Sequence, residues 1–453
     1  MKNYKKIVFA VVLVIVALII LPFLLPTQTY IQKAERVASE KLGVPVKISE
    51  GHLRFLPSPR LVASGIVIGD DQDVLVNKLV IVPALRTLFS TTKQVDLKVI
   101  KPIIKQSALS IVSALTTKKS EEMEAAAINV SHIKVEEMQF ISPDMQLPIL
   151  NAEIALTKLN ALDSALIESL DGKLKAELTP NGDEHLIKVN AEKWTLPASL
   201  PLLIDKAALE MHLKGNLLTI PKIDVALYRG KLTGNAVLTW PNGEQKNAVG
   251  NWKTTGHLNI ANLSLKEPTS MMSKAVHLSG NLFSNGDFSA SAKEAGQLRE
   301  QLRANFKFKI NQGVLHGLDL VKVASLLIKQ NQNGGETQFD AFSGLLNVSG
   351  KQYHLQNLNI SSGLLTATGQ VKIKPNKALD GTGSIAIKNS VSLVAIPLNV
   401  SGNVSKPIVL PSKAALAGAA AGTAILGPGV GTSVGIKAAG ALDSVKKLFS
   451  QDK

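Results

Sequence analysis

Between residues 304 and 313 the chain runs ANFKFKINQG, where Phe306, Phe308 and Ile310 alternate with Lys307 and Lys309. Successive side chains of a strand point to opposite faces, so this stretch predicts a strand with one oily and one charged side. The same two-residue period returns from Ile128 onward, in INVSHIKVEEMQF, LNAEIALTKL, HLIKVNAEKW, KIDVALYRG and KLTGNAVLTW. Turn residues fill the short gaps, which predicts an antiparallel meander. Leu358 and Ile360, and Val371 and Ile373, repeat the oily-side spacing and join Phe306, Phe308 and Ile310 as candidate lining residues of an apolar face.

Helical spacing is rarer. Ile31, Ala34, Ala38 and Leu42 make an apolar stripe over 27–43 that Gly43 stops, and a short helix on a membrane surface is expected there. Strands follow in VPVKISEGHLRF and VLVNKLVIVP, then Pro83 opens a short helix carrying Leu85, Leu88 and Phe89, and QVDLKVIKP closes the block. Residues 105–127 look helical and then polar, with 118–127 as the linker. Two more helices are expected at 292–303 and 317–330, the second packing its stripe of Leu318, Val321, Ala324, Leu327 and Ile328 on the sheet. Gly-Asn pairs in HLKGNL, KLTGNAV, HLSGNLF and NVSGNV, with relatives NVSGKQYHL and TATGQVKI, suggest a recurring strand-turn unit.

Two segments lack charge altogether. Residues 7–25, IVFAVVLVIVALIILPFLL, hold 16 large apolar side chains, among them Ile7, Val11, Val14, Leu18, Leu21 and Leu25. Their insertion into a bilayer is favourable by about 5–10 kcal/mol, and 19 helical residues span nearly one hydrocarbon thickness. Lys2, Lys5 and Lys6 precede the segment, which puts the N-terminus in the cytoplasm. No A-x-A-like site follows, so an uncleaved anchor is expected, not a signal peptide. Residues 414–436 are also uncharged, but Ala and Gly fill 13 of the positions and insertion energy is near zero. Beyond them Leu442, Val445 and Leu448, beside Lys446, Lys447 and Phe449, make a candidate second membrane contact. An interfacial helix and a small-residue plug on the sheet end both fit this tail.

Composition narrows the chemistry. The 453 residues are 45% hydrophobic but only 4% aromatic, and carry a net charge of +15. Only seven of the 50 basic residues are arginine, so the arginine forks and stacking rings of nucleic-acid readers are scarce, and no nucleic-acid partner is expected. Lysines on outward strand positions near anionic lipid fit better. Without cysteine there is no thiol chemistry, and the eight histidines never fall at metal-ligand spacing, so neither a metal nor another cofactor is expected. GTSVG at 431–435 matches G-x-S-x-G, but it follows a Gly/Ala-rich stretch and no histidine comes after it. No enzyme is expected.

Taken in order, three stretches resemble the AsmA family. They are LGVPVKISEGHLRFLPSPRLVASGIVIGD with KLVIVPALRTLFS and LKVIKP; KIDVALYRGKLTGNAVL; and FKINQGVLHGLDLVKVASLL with the run from GGETQFDAFSGLL to KIKPNKALDG. The resemblance implies an inner-membrane-anchored envelope protein of Gram-negative bacteria, similar to bridge-like lipid-transfer proteins, with no catalytic residues. The fold it implies is mainly β: a transmembrane helix, then an elongated, curled antiparallel repeating sheet forming an open groove, with a few short helices. The expected organisation is an anchor at 1–26, an N-terminal AsmA-like helix and β segment at 27–117, a linker at 118–127, the repeating sheet at 128–410 and an apolar tail at 411–453. About 25 strands at 4.8 Å spacing extend on the order of 120 Å. That falls short of a periplasm and calls for a handover partner at the outer membrane or in the periplasm. Phospholipids and the inner membrane are the other expected partners, with the bulk of the chain in the periplasm. The alternative is a scaffold that assists outer-membrane protein assembly and closes its sheet on its own core.

Overall fold

A computed structural model describes residues 27–87, 90–108, 128–142, 147–196, 202–241, 251–324, 335–387, 395–426, 432–433 and 435–440. The expected anchor at 7–25, the linker at 118–127 and the contact at 442–449 lie outside the described residues. Among the residues that are described, no helix is long and apolar enough to cross a membrane. The fold is mainly β, with 21 strands and a few short helices among the described residues. Contacts divide it into two units, one mostly before residue 201 and the other mostly after 251.

In the first unit, helix α1 (Thr27–Leu42) stops at Gly43, whose φ of 72° suits a residue without a Cβ. Part of its stripe meets the sheet. Ala38 and Leu42 pack with Val46, Ala63 and Ile66 of the first strands. Strands β1 (Val46–Arg54), β2 (Arg60–Ile68), β3 (Val74–Pro83) and β4 (Lys93–Lys105) pair antiparallel in sequence order. After Pro83 the chain makes a 3-10 turn, Leu85–Thr87, and Leu88 and Phe89 of the expected helix lie outside the described residues. β5 (Ile128–Ile141) then pairs parallel to β4, a departure from the expected meander. Parallel neighbours need a long connection, and residues 106–127 provide it where a helix and linker were expected. Lys105 itself ends a strand. β6 (Leu150–Leu156), β7 (Leu162–Ser169), β8 (Leu174–Asn181) and β9 (Glu184–Leu196) continue antiparallel.

β10 (Leu202–Lys214) and β11 (Leu217–Leu227) contribute residues to both units. The second unit then builds an unbroken antiparallel series. It comprises β12 (Gly230–Thr239), β13 (Trp252–Ser264), β14 (His277–Ala292), β15 (Arg303–His316), β16 (Glu336–Ser349), β17 (Gln352–Ser361), β18 (Leu365–Ile373), β19 (Leu379–Ile387), β20 (Ala395–Asn403) and β21 (Lys406–Pro411). Each pairs with the next. Helices α2 (Lys266–Met272) and α3 (Leu320–Ala324) sit in its connections, and α4 (Lys413–Leu426) follows the last strand.

The expected helix at 292–303 is absent: Ala292 ends β14, Ala295–Gln297 is a 3-10 turn, and Arg303 already starts β15. Gly296 inside so short a stretch weakens helix propagation, and the strand register on both sides leaves no room for a longer element. The Gly-Asn repeat is not one structural unit either. Gly215 occupies a tight turn with φ of 55° and Gly402 is a strand residue just before one with φ of 82°, whereas Gly234 lies in mid-strand where an added Cβ would meet the His257 carbonyl oxygen. The sequence pair is shared; the reason for the glycine is not.

The firmest core lies in the second unit. Leu365 and Ile385 are almost wholly buried, and Leu320, Val323 and Ala324 of α3, Ala419 of α4 and Ile436 pack with them and with Ile396 and Leu398. Buried Thr337 fixes α3 by accepting from the Leu320 N–H at 2.9 Å and donating to the Leu318 carbonyl at 2.7 Å. Ser412 caps α4, its hydroxyl accepting from the Ala415 N–H at 3.1 Å. At Gly418 a Cβ would stand 2.3 Å from the Gly435 carbonyl oxygen, so only glycine lets residues 435–440 approach α4 this closely. Of the two readings of the tail, its described part is the plug. Replacing Ile385 by Ala is expected to cost about 2–5 kcal/mol in urea unfolding, while Lys309→Ala on the exposed side shifts the midpoint within error.

Candidate functional site

Register places all seven candidate lining residues on one face. Partners directly opposite one another in antiparallel strands share a side. One row reads Leu258, Gly286, Phe306, Leu346, Leu355, Val371, Gly381, Val400 and Val409 across β13 to β21, without a polar member. A parallel row reads Leu282, Ile310, Phe342, Ile360, Ala367, Ile385 and Ile396. Leu358 opposes Gly369, and Ile373 opposes Leu379, on the same side. The first unit repeats the plan: Leu53, Leu61, Ile81, Leu97, Ile133, Ile154, Ala165, Leu178 and Ile187 form one row over β1 to β9.

Holding such rows through strands of 13 to 16 residues requires corrections that strict alternation hides. At Ile260/Leu263 and at Leu355/Leu358 the register slips by one residue, and Asn262 and Asn357 take φ of 56° and 50° there. Val135/Met138 slips likewise, beside Glu137 at 54°. Each is a β-bulge, which inserts an extra residue and bends the strand. Two apolar residues three apart, not two, therefore stay on the same side. Glycines let aromatic rings lie down across a neighbouring strand: a Cβ on Gly286 would stand 2.7 Å from Phe306 Cδ1. Phe308 meets Phe342 edge to face at 5.5 Å.

The face is covered unevenly. Toward α3 it is sealed, with Ile310 at 3% exposure and Ile360 packed against the core cluster. Away from α3, Phe306, Leu346, Leu355, Val371 and Ile373 are half-buried, and Tyr353 is 42% exposed. Thus the seven candidates divide: Ile310 and Ile360 belong to the protein's own packing, and the other five are accessible.

The opposite face is mostly polar, with Phe283 and Leu345 among its apolar exceptions. His257, Asp287, Asn305, Asn347, His354, Lys372 and Asp380 form one row. His257 Nδ1 lies 2.7 Å from Asp287, and Nε2 lies 2.8 Å from the Asn285 amide. A cavity of about 720 Å³ opens on this side, lined by Asn259, Phe283, Asn285, Lys307, Lys309 and Leu345 among others. In the first unit a cavity of about 540 Å³ does the same between His132, Lys134, Glu153 and Glu177. There lysines are matched across strands by carboxylates, Lys98 with Glu136 at 2.8 Å and Lys175 with Glu168 at 3.7 Å, and Glu177 on the same strand bonds Lys175 at 2.9 Å and raises its pKa. Such exposed pairs add little stability. They keep the outer face wet and in register.

Ser433 of the G-x-S-x-G match is helical, and the chain before it is α4, not the strand a nucleophile elbow requires. No group of three or more metal-ligating side chains occurs among the described residues.

Residues 169–351 match the sequence profile of the AsmA family. The match supports the AsmA resemblance read from the sequence. The match runs from the end of β7 to just past β16, so it takes in Phe306, Phe308 and Ile310. The N-terminal stretch that also resembles AsmA proteins, and Leu358 to Ile373, lie beyond it. The AsmA match suggests an envelope-related function. Comparison with curated proteins and with solved structures gives no match.

One polar pair gives a test of this electrostatic picture. His212 Nδ1 lies 3.0 Å from Glu184, whose hydrogen bond raises the imidazole pKa while the imidazolium lowers that of Glu184. The histidine's contribution is complete below its ordinary pKa and fades as pH rises through the raised value. The glutamate's is complete above its ordinary pKa and fades as pH falls through the lowered one. Nuclear magnetic resonance titration should find His212 titrating above the ordinary imidazole value, and Glu184→Gln should bring it down.

Proposed function

We propose that this protein is anchored in the inner membrane, lies mostly in the periplasm, and binds phospholipid acyl chains on the apolar face of its sheet, helping to move lipid between inner and outer membranes. The observation that carries this reading is the accessible half of the apolar face, where Phe306, Leu355, Val371 and Ile373 are only half-buried. Each methylene removed from water there is worth about 0.8 kcal/mol, so two tails of ordinary length gain well over 10 kcal/mol before ordering costs. The contact is non-directional. A lipid can slide along the row from strand to strand without losing it, which suits transfer and asks for no catalytic residue. The AsmA segment and the charge-free stretch at 7–25 support the envelope setting. A handover partner then receives the lipid at the far side.

The scaffold reading draws on the sealed half, where α3 and α4 close the sheet on its own core. Two substitutions separate the readings. Val371→Asp in the accessible half should leave the circular dichroism spectrum and the melting midpoint nearly unchanged and remove co-purifying phospholipid. Unfolding of Val371→Asp, or a wild-type protein that extracts without phospholipid, would favour the scaffold. Ile310→Asp unfolds under either reading and serves as the control.

A further inference from the structure

An open ladder edge recruits further strands, because its outward N–H and C=O groups are a template for pairing. The first strand, β1, pairs with β2, and the last, β21, pairs with β20, so each has one outward edge. Register shows which backbone groups point out. The Gly69 N–H donates to the Pro45 carbonyl at 2.9 Å, so the alternation of an antiparallel pair turns the Lys47 N–H inward and those of Val46 and Ile48 outward. Helix α1 meets both outward donors. The Ser39 hydroxyl accepts from the Val46 N–H at 2.9 Å, and Glu35 Oε1 accepts from the Ile48 N–H at 2.7 Å. Four helix residues advance about 6 Å and two strand residues about 6.6 Å, so successive turns of α1 reach successive outward donors. One turn earlier Ile31 lies against Gly51, where an added Cβ would stand 3.1 Å from its Cδ1.

The β21 edge is blunted by other means. The Ser412 N–H donates to the Pro397 carbonyl at 2.8 Å, which sets the alternation: Ile408 and Leu410 turn their N–H groups toward β20, and positions 407, 409 and 411 turn outward. Two of those three are Pro407 and Pro411, which have no N–H to offer. Of the described residues of β21, Val409 alone turns a backbone donor outward. Ile408 and Leu410 are 39% and 48% exposed, so this edge would be adhesive if its donors were complete.

We infer that both end strands are built to refuse a further strand, so that copies of this chain do not join ladder to ladder. The number of strands in the sheet is then fixed by the chain, and self-association does not extend it. This holds whether or not the apolar face carries acyl chains.

The full chain in mild detergent is weighed by light scattering with the detergent contribution subtracted. The wild type should give the mass of one chain at every concentration. Pro407→Val with Pro411→Val restores both outward donors and should double that mass, as two β21 edges pair about a two-fold axis, with the circular dichroism spectrum unchanged. Pro407→Val alone, at the turn end of β21, repeats the test if the double variant unfolds. At the other edge, hydrogen exchange followed by nuclear magnetic resonance should find the Val46 and Ile48 amides protected, and Glu35→Ala with Ser39→Ala should speed both by about tenfold or more. A wild type whose mass grows with concentration, proline variants that keep the mass of one chain, or Val46 and Ile48 amides that exchange at the same rate in the α1 variant would overturn the inference.

Discussion

Side-chain parity governs this protein. A strand gives each residue one of two faces, and a single slip sends every later side chain to the wrong one. Over ten consecutive strands of the second unit the apolar face survives because the register slips only where an extra residue restores parity, as at Leu355/Leu358. The bend that a bulge introduces and the parity it preserves come from the same inserted residue. Non-glycine residues at positive φ, such as Asn262 and Asn357, carry this cost locally. Ladder hydrogen bonds on both sides hold them there.

A continuous apolar face is a liability unless something meets it. This protein meets it with two devices of different reach. Helices α3 and α4 close one part, where Ile385 and Leu365 reach the burial of an ordinary core. Small residues make that possible, since Gly418 and Ala415 bring backbone against backbone with no side-chain thickness between. The other part keeps aliphatic side chains half-buried, with rings laid flat over glycines so that little projects from the sheet. A core under a fixed lid and a surface of exchangeable contacts thus occupy the same strands.

The sequence made much of this legible, and for a physical reason. Two-residue alternation survives wherever the strand is regular, so Phe306, Phe308, Ile310, Leu358, Ile360, Val371 and Ile373 could be assigned to one side before any register was known. What failed depended on non-local geometry. Bulges appear in sequence as an apolar pair three apart, which also fits a helix. The parallel β4–β5 pair is set by where a long connection returns the chain, and no local signal records that. At 292–303 the spacing of Ala, Leu and Gln suggested a helix, but strands on both sides claimed its ends. Which of the seven lining candidates would be sealed was equally invisible. Ile310 and Ile373 have the same pattern in their own strands, and only the packed structure distinguishes them, with Ile310 buried and Ile373 half-buried.

The basic excess of +15 takes on meaning once the strands are placed. In the first unit cross-strand carboxylates answer lysines at Lys98, Lys134 and Lys175, so charge there is locally balanced and serves solvation. In the second unit Lys307, Lys309 and Lys372 stand on the polar face, and Lys406 alternates with Val409 and so shares it. A uniform coat of positive charge would attract any polyanion without orientation. Cations interspersed with carboxylates, as where Lys372 stands opposite Asp380 and His257 opposite Asp287, keep one face of the sheet in water while the other stays apolar.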